Sequence, residues 1–223
     1  MIFYYTDNSV SQAVAKAFVS AGHEARHIRD FVPAPSIFYG IMRGAGNAMH
    51  RLNALGIDYW YVDNGYFDAE YINDQKEKLM TGTYRIVKND THHKYEREVY
   101  YTERQKHRTM VIPPSEVSAY FHGTTPQDWV EHVTKNMDNF FVRDKSVRRE
   151  LEDDLEQCDA VLAFNSMAVI QALKAGKIVE DTHGVFRNHA EDFQSMYRIG
   201  DVIDYFKDKQ FTLQQIADGA WTP

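Results

Sequence analysis

Short apolar runs alternate along the chain with stretches of helical periodicity. Residues 2–6 (IFYYT) form an aromatic and β-branched run, and the polar Asp7-Asn8-Ser9 follows. Val10, Ala13, Val14, Ala17 and Phe18 then recur at helical spacing until Gly22. This predicts a strand, a turn and a helix. EARHIRD, from 24, predicts a short second strand, and SIFYGI, at 36–41, a third. Gly44-Ala45-Gly46-Asn47 leads into a helix carrying Ala48, Leu52 and Leu55, closed by Gly56. IDYWYVD, at 57–63, is a fourth strand running into Asn64-Gly65. Strand and helix at such short intervals predict a parallel sheet with crossover helices.

The pattern breaks at 68–108, a polar, charged, tyrosine-rich excursion in which only TYRIVKN, at 83–89, reads as a strand. A second αβ pattern begins at 109. TMVIPPSE is a strand ending in a Pro-Pro turn, and TTPQDWVEHVTKNM a helix with a threonine cap and a proline in its first turn. NFFVRDKS is a strand entering a polar turn, and 147–157 a charged helix. CDAVLAFNS, at 158–166, is the clearest strand. A helix through Ala168, Val169, Ala172 and Leu173 to Gly176 follows it, then the strand KIVED. Residues 190–219 read as two amphipathic helices.

The expected fold class is therefore α/β: two Rossmann-like halves facing a cleft. Residues 1–105 form the first half, excursion included, and 106–190 the second. The helices of 191–223 pack back on the first.

Composition narrows the setting. Of the 223 residues, 43% are hydrophobic, enough for a real core, and the single cysteine, Cys158, excludes an internal disulfide. The start, MIFYYTDNSV, lacks the basic and apolar regions of a signal peptide. No apolar run approaches the roughly 18 residues that span a bilayer. The expectation is a cytoplasmic protein with no membrane partner. A formal net charge of −7 argues against a general nucleic-acid coat, though not against a local basic patch.

Candidate chemistry collects where strands end. Asn165 and Ser166 open a helix, whose free N–H groups and dipole suit a phosphate; helix capping alone also accounts for them. Arg143 and Lys145, in VRDKS, can grip a phosphate at a strand end, or line a solvated turn. Asp7 and Asp63 end strands of the first half, where either carboxylate can serve as general base. Capping for Asp7 and an Asn-Gly turn for Asp63 are the structural alternatives. Gly44, in the Arg43–Asn47 glycine turn, can bring backbone N–H groups close to a ligand, or serve tight packing. Ser115, after the Pro-Pro turn, and His183, in DTHGVFRNH, are further ligand-contact candidates. The ten histidines lack metal-ligand spacing, so no metal is expected. Tyr84, Tyr95, Tyr100 and Tyr101 interleave with cations between 84 and 108, a pattern that can stack on bases. Asp90, Glu96, Glu98 and Glu103 dilute it toward an ordinary solvated surface.

The run VRDKS, helix, CDAVLAFNS, MAVIQALKAG, KIVED resembles the donor-side half of GT-B glycosyltransferases over residues 109–188. Capsule-synthesis transferases and sugar 2-epimerases share that outline. The ending FKDKQFTLQQIADGAWTP is similar to those of small phage-encoded proteins. The resemblance implies transfer of a sugar from a nucleotide-diphosphate sugar to a hydroxyl, with no cofactor or metal. Asp7 or Asp63 would be the base. Arg143, Lys145, Asn165, Ser166, His183, Gly44 and Ser115 would bind substrate. The acceptor would be a modified base in phage DNA or a surface saccharide, and the compartment the host cytoplasm. Arg143→Ala would then remove activity and leave the fold intact. GT-B enzymes are longer than this chain. Their ribose-binding glutamate has only Glu180 and Asp181 as neighbouring candidates here. A non-catalytic nucleotide-sugar binding protein and a sugar-nucleotide epimerase are the alternative readings.

Overall fold

The computed structural model describes residues 1–41, 43–65, 82–88, 107–143, 149–164, 166–181 and 204–223. The chain divides into two compact units, Met1–Asn89 with Asp204–Pro223, and Asp90–Ile203. Each is a mixed α/β unit built on a sheet rich in parallel pairs.

In the first unit, β1 (Ile2–Tyr5) leads to helix α1 (Ser9–Ser20) and β2 (Glu24–His27), closed by a 3-10 turn over Ile28–Asp30. Next come β3 (Ser36–Tyr39), α2 (Ala45–Ala54), β4 (Tyr59–Asn64) and β5 (Thr83–Lys88). The tail adds β10 (Gln210–Thr212) and α7 (Leu213–Ala217). The six strands lie in the order β10-β5-β4-β3-β1-β2. β2, β1, β3 and β4 are mutually parallel, whereas β5 and β10 close the sheet antiparallel to their neighbours.

One face of the sheet packs on α1 and α7. Phe3, Val14, Phe18, Ile37, Val62, Tyr84, Ile216 and Trp221 share that core. Trp221 sets its ring edge-on to Phe18 and Trp60, which ties the tail to the first strands and helix. Within 190–219, expected as two helices, the described part holds helical residues at 204–207 and α7, and the strand β10 stands between them. A three-residue strand is too short to show periodicity, and it forms because β5 offers an open edge.

In the second unit, β6 (Thr109–Ile112), α3 (Glu116–Phe121), α4 (Pro126–Thr134) and β7 (Phe140–Val142) are followed by α5 (Leu151–Leu155). Then come β8 (Ala160–Ala163), α6 (Ala168–Lys174) and β9 (Ile178–Asp181). The order is β7-β6-β8-β9, all parallel. β6 and β8 are buried at every position, as inner strands covered on both faces must be. Trp129 and Val133 of α4 pack against Val111, Leu162 and Phe164.

Candidate functional site

In the first sheet the chain steps from β1 outward to β2, then crosses back to β3 on the other side. The loops after β1 and β3 therefore part at the carboxyl edge, the topological switch point at which open α/β sheets take ligands. Asp7 stands there. It does not cap α1. Asn8 does, its Oδ1 accepting from the N–H groups of Val10 and Ser11 at 2.9 and 3.1 Å.

The Asp7 carboxylate is held instead by the last residue of β2 and by one in the turn after it. His27 Nε2 lies 3.2 Å from Oδ1, and Arg29 Nη2 donates to Oδ2 at 3.0 Å. The Arg29 N–H donates to His27 Nδ1 at 3.2 Å, so Nδ1 is the acceptor and the neutral ring carries its proton on Nε2, facing Asp7. Tyr5 packs edge-on against the same ring. The Asp7 side chain is nevertheless 67% exposed, so a clamped carboxylate stays open to an incoming group.

The loop after β3 borders this point. Arg43 and Gly44 have φ of 56° and 95°, the left-handed region, and Gly44 costs least there. A Cβ on Gly44 would stand 3.7 Å from Ile28 Cγ1, so this loop meets the turn that carries Arg29. No side chain caps α2, which starts at Ala45.

Asp63 is different. Its Oδ2 accepts from the Tyr61 hydroxyl at 2.8 Å and from Arg85 Nη2 at 2.9 Å, and its Oδ1 from the Asn64 N–H at 2.8 Å. Arg85 is buried. Burial, and then the nearby Asp63 charge, push the Tyr61 hydroxyl well above its ordinary pKa, so it remains a donor. This is a charge pair across β4 and β5, with three donors on the carboxylate. Gly65 closes the strand end. Its N–H donates to the Thr83 carbonyl at 2.8 Å, and a Cβ on it would collide with Thr83 Oγ1.

In the second sheet the order reverses between β6 and β8. Pro113-Pro114-Ser115 and the start of α6 flank that switch point. Ser115 Oγ accepts from the Ser118 N–H at 3.2 Å, and Ser166 Oγ from the Ala168 N–H at 3.3 Å. Ser115 caps α3, whereas no side chain caps α6; both hydroxyls keep their own hydrogens to donate.

Arg143 follows β7, as its position in the sequence suggests, but its guanidinium has structural work. Nε donates to Asp154 Oδ2 at 2.8 Å, and Nη2 to the Arg149 carbonyl at 3.0 Å. Arg149 Nη1 lies 3.2 Å from the other Asp154 oxygen. Asp154 is buried in α5. Removing Arg143 would thus weaken the unit, contrary to the expectation that the fold tolerates Arg143→Ala.

Lys145, Asn165 and His183 lie outside the described residues, as does most of the tyrosine-rich segment. Tyr84 and Arg85, its first members, are buried in β5 and cannot stack on a base. β9 brings Glu180 and Asp181 into register with Leu162 and Ala163, at the same carboxyl edge. Among the described residues, no group of three or more His, Cys, Asp or Glu could hold a metal ion. No described helix is long and apolar enough to cross a membrane.

The sequence reading missed His27 and Arg29. The available signal was their place at the end of the second strand, beside the first strand's aspartate in a parallel sheet.

No protein-family model matches the chain, and no curated protein matches it. Among solved structures it is similar to Thermosulfurimonas dismutans KpsC, beta Kdo 2,4 transferase. The TM-score is 0.36 and the identity 13%, over 80% of this chain and 78% of that one.

Proposed function

We propose that this chain is a GT-B-type glycosyltransferase that moves a sugar from a nucleoside-diphosphate sugar to a hydroxyl acceptor without a metal. The observation that carries the reading is Asp7: a carboxylate fixed by two partners yet open to solvent, at the switch point of a parallel sheet. A general base needs such a group, oriented and reachable. In the reaction, the acceptor oxygen bonds to the anomeric carbon and its proton passes to Asp7. The bond from that carbon to the diphosphate oxygen breaks, and the leaving diphosphate takes the electron pair.

For the diphosphate of the donor, the hydrogen-bond donors would be the Ser115 and Ser166 hydroxyls and the remaining N–H groups of Arg143, with Lys145, Asn165 and His183. Gly44 borders the acceptor side. Asp63 is the poorer base, because its lone pairs are engaged by Tyr61, Arg85 and Asn64. The acceptor is a saccharide hydroxyl or a hydroxyl on a modified DNA base, and both suit an exposed carboxylate.

A thermal-shift screen against nucleotides and nucleotide sugars tests the donor side. A ligand at a hundred times its dissociation constant stabilises by roughly 2.7 kcal/mol. The expected result is a clear shift with one nucleoside-diphosphate sugar, kept in Asp7→Asn. No shift with any donor contradicts the reading. A shift without turnover, across a broad acceptor screen, makes the chain a binding protein instead.

A further inference from the structure

We infer that His27 is a positioning residue: it holds Asp7 in the orientation from which the carboxylate takes the acceptor proton. The inference rests on the transferase reading of Asp7 and extends it to a residue outside the proton's path.

His27 ends β2, directly beside Tyr5 of β1 in the parallel register. Its side chain is 19% exposed, against 67% for Asp7, so a mostly buried imidazole supports a mostly open carboxylate. Two contacts fix the ring independently of Asp7. The Arg29 N–H donates to Nδ1 at 3.2 Å, and Tyr5 meets the ring at an interplanar angle of 90°. The first sets the tautomer and the second the tilt.

Nε2–H therefore points at Asp7 Oδ1, while Arg29 Nη2 takes Oδ2. Two donors on two different oxygens fix the plane of a carboxylate, which one donor cannot. Arg29 is 78% exposed, so its long side chain is the mobile partner and His27 the fixed one. The fixed partner determines where the free lone pairs of Asp7 point. A base misplaced by a fraction of an ångström loses rate without losing substrate affinity.

The test combines kinetics with a spectroscopic reading on the full chain. With the donor and acceptor that the wild type uses, His27→Ala should lower kcat on the order of tenfold at nearly constant KM. His27→Gln, which keeps an N–H donor at similar reach, should recover much of that loss. In the Asp7→Asn background, His27→Ala should cost nothing further. Separately, side-chain nitrogen NMR should report the Nε2–H tautomer at His27, with a resonance that moves in Asp7→Asn.

An unchanged kcat in His27→Ala, or a loss that His27→Gln does not recover, overturns the positioning role and leaves the transferase reading standing. So does a His27 resonance indifferent to Asp7→Asn. A wild type that transfers no sugar overturns the functional reading and the positioning role with it, whatever the tautomer.

Discussion

Asp7 and Asp63 are the same residue type at the ends of two parallel strands, and their neighbours give them different work. Asp7 has an imidazole and a guanidinium on it and is left open; Asp63 is tied into β5 by a buried arginine. Replacing Asp63 by asparagine leaves the Arg85 charge buried with a weaker partner. The expected loss of stability is about 1–3 kcal/mol, read from the urea midpoint at constant slope. A midpoint within error of wild type would show that Asp63 does not hold Arg85. Both aspartates were legible in the sequence as strand-end carboxylates. Their separate roles were not, because the deciding partners stand far off: His27 is 20 positions from Asp7, and Arg85 is 22 from Asp63. Only strand pairing brings them together.

The strands with four or more apolar or aromatic positions were readable at the scale of elements, and so were the helices with a threonine or asparagine ahead of them. What short-range pattern cannot carry is the latch between elements. Arg143 looked like a free cation in a polar turn, yet it joins the end of β7 to a buried aspartate of α5. Arg143→Ala should cost about 1–3 kcal/mol, because the buried Asp154 carboxylate is then left with Arg149 alone. Chemical denaturation checks this, and a donor-binding role for Arg143 must be judged on protein shown to be folded. Gly65 makes a second such contact. Gly65→Ala should destabilise through the collision with Thr83 Oγ1. Thr83→Ala, which removes an oxygen that is buried without a hydrogen-bond partner, should cost little and relieve much of that loss in the double variant. Strictly additive losses would contradict the contact.

At the scale of the whole molecule, the alternation of strand and helix disclosed two α/β units, while the return of the tail as a strand of the first sheet was hidden in three residues. The first unit also gathers tyrosines. Tyr39, Tyr59, Tyr61 and Tyr84 all have hydroxyls raised above the ordinary value of 10.0, chiefly by burial. Their folded pKa values exceed the unfolded one, so their contribution is complete below about pH 10 and is lost as pH rises beyond it. Far-UV circular dichroism should show stability falling above about pH 10, together with tyrosinate absorbance; Tyr59→Phe should lessen the fall. Stability flat to pH 12 would contradict the burial. Sugar transfer itself is read from the release of nucleoside diphosphate. Donor sugars are incubated with saccharide and hydroxylated-DNA acceptors, and wild type is compared with Asp7→Asn. Acceptor-dependent release by the wild type is expected, with a loss of about a hundredfold or more in the variant and the fold retained. Release that is equal in the two proteins, or absent from both with every donor, would contradict the transferase reading of Asp7.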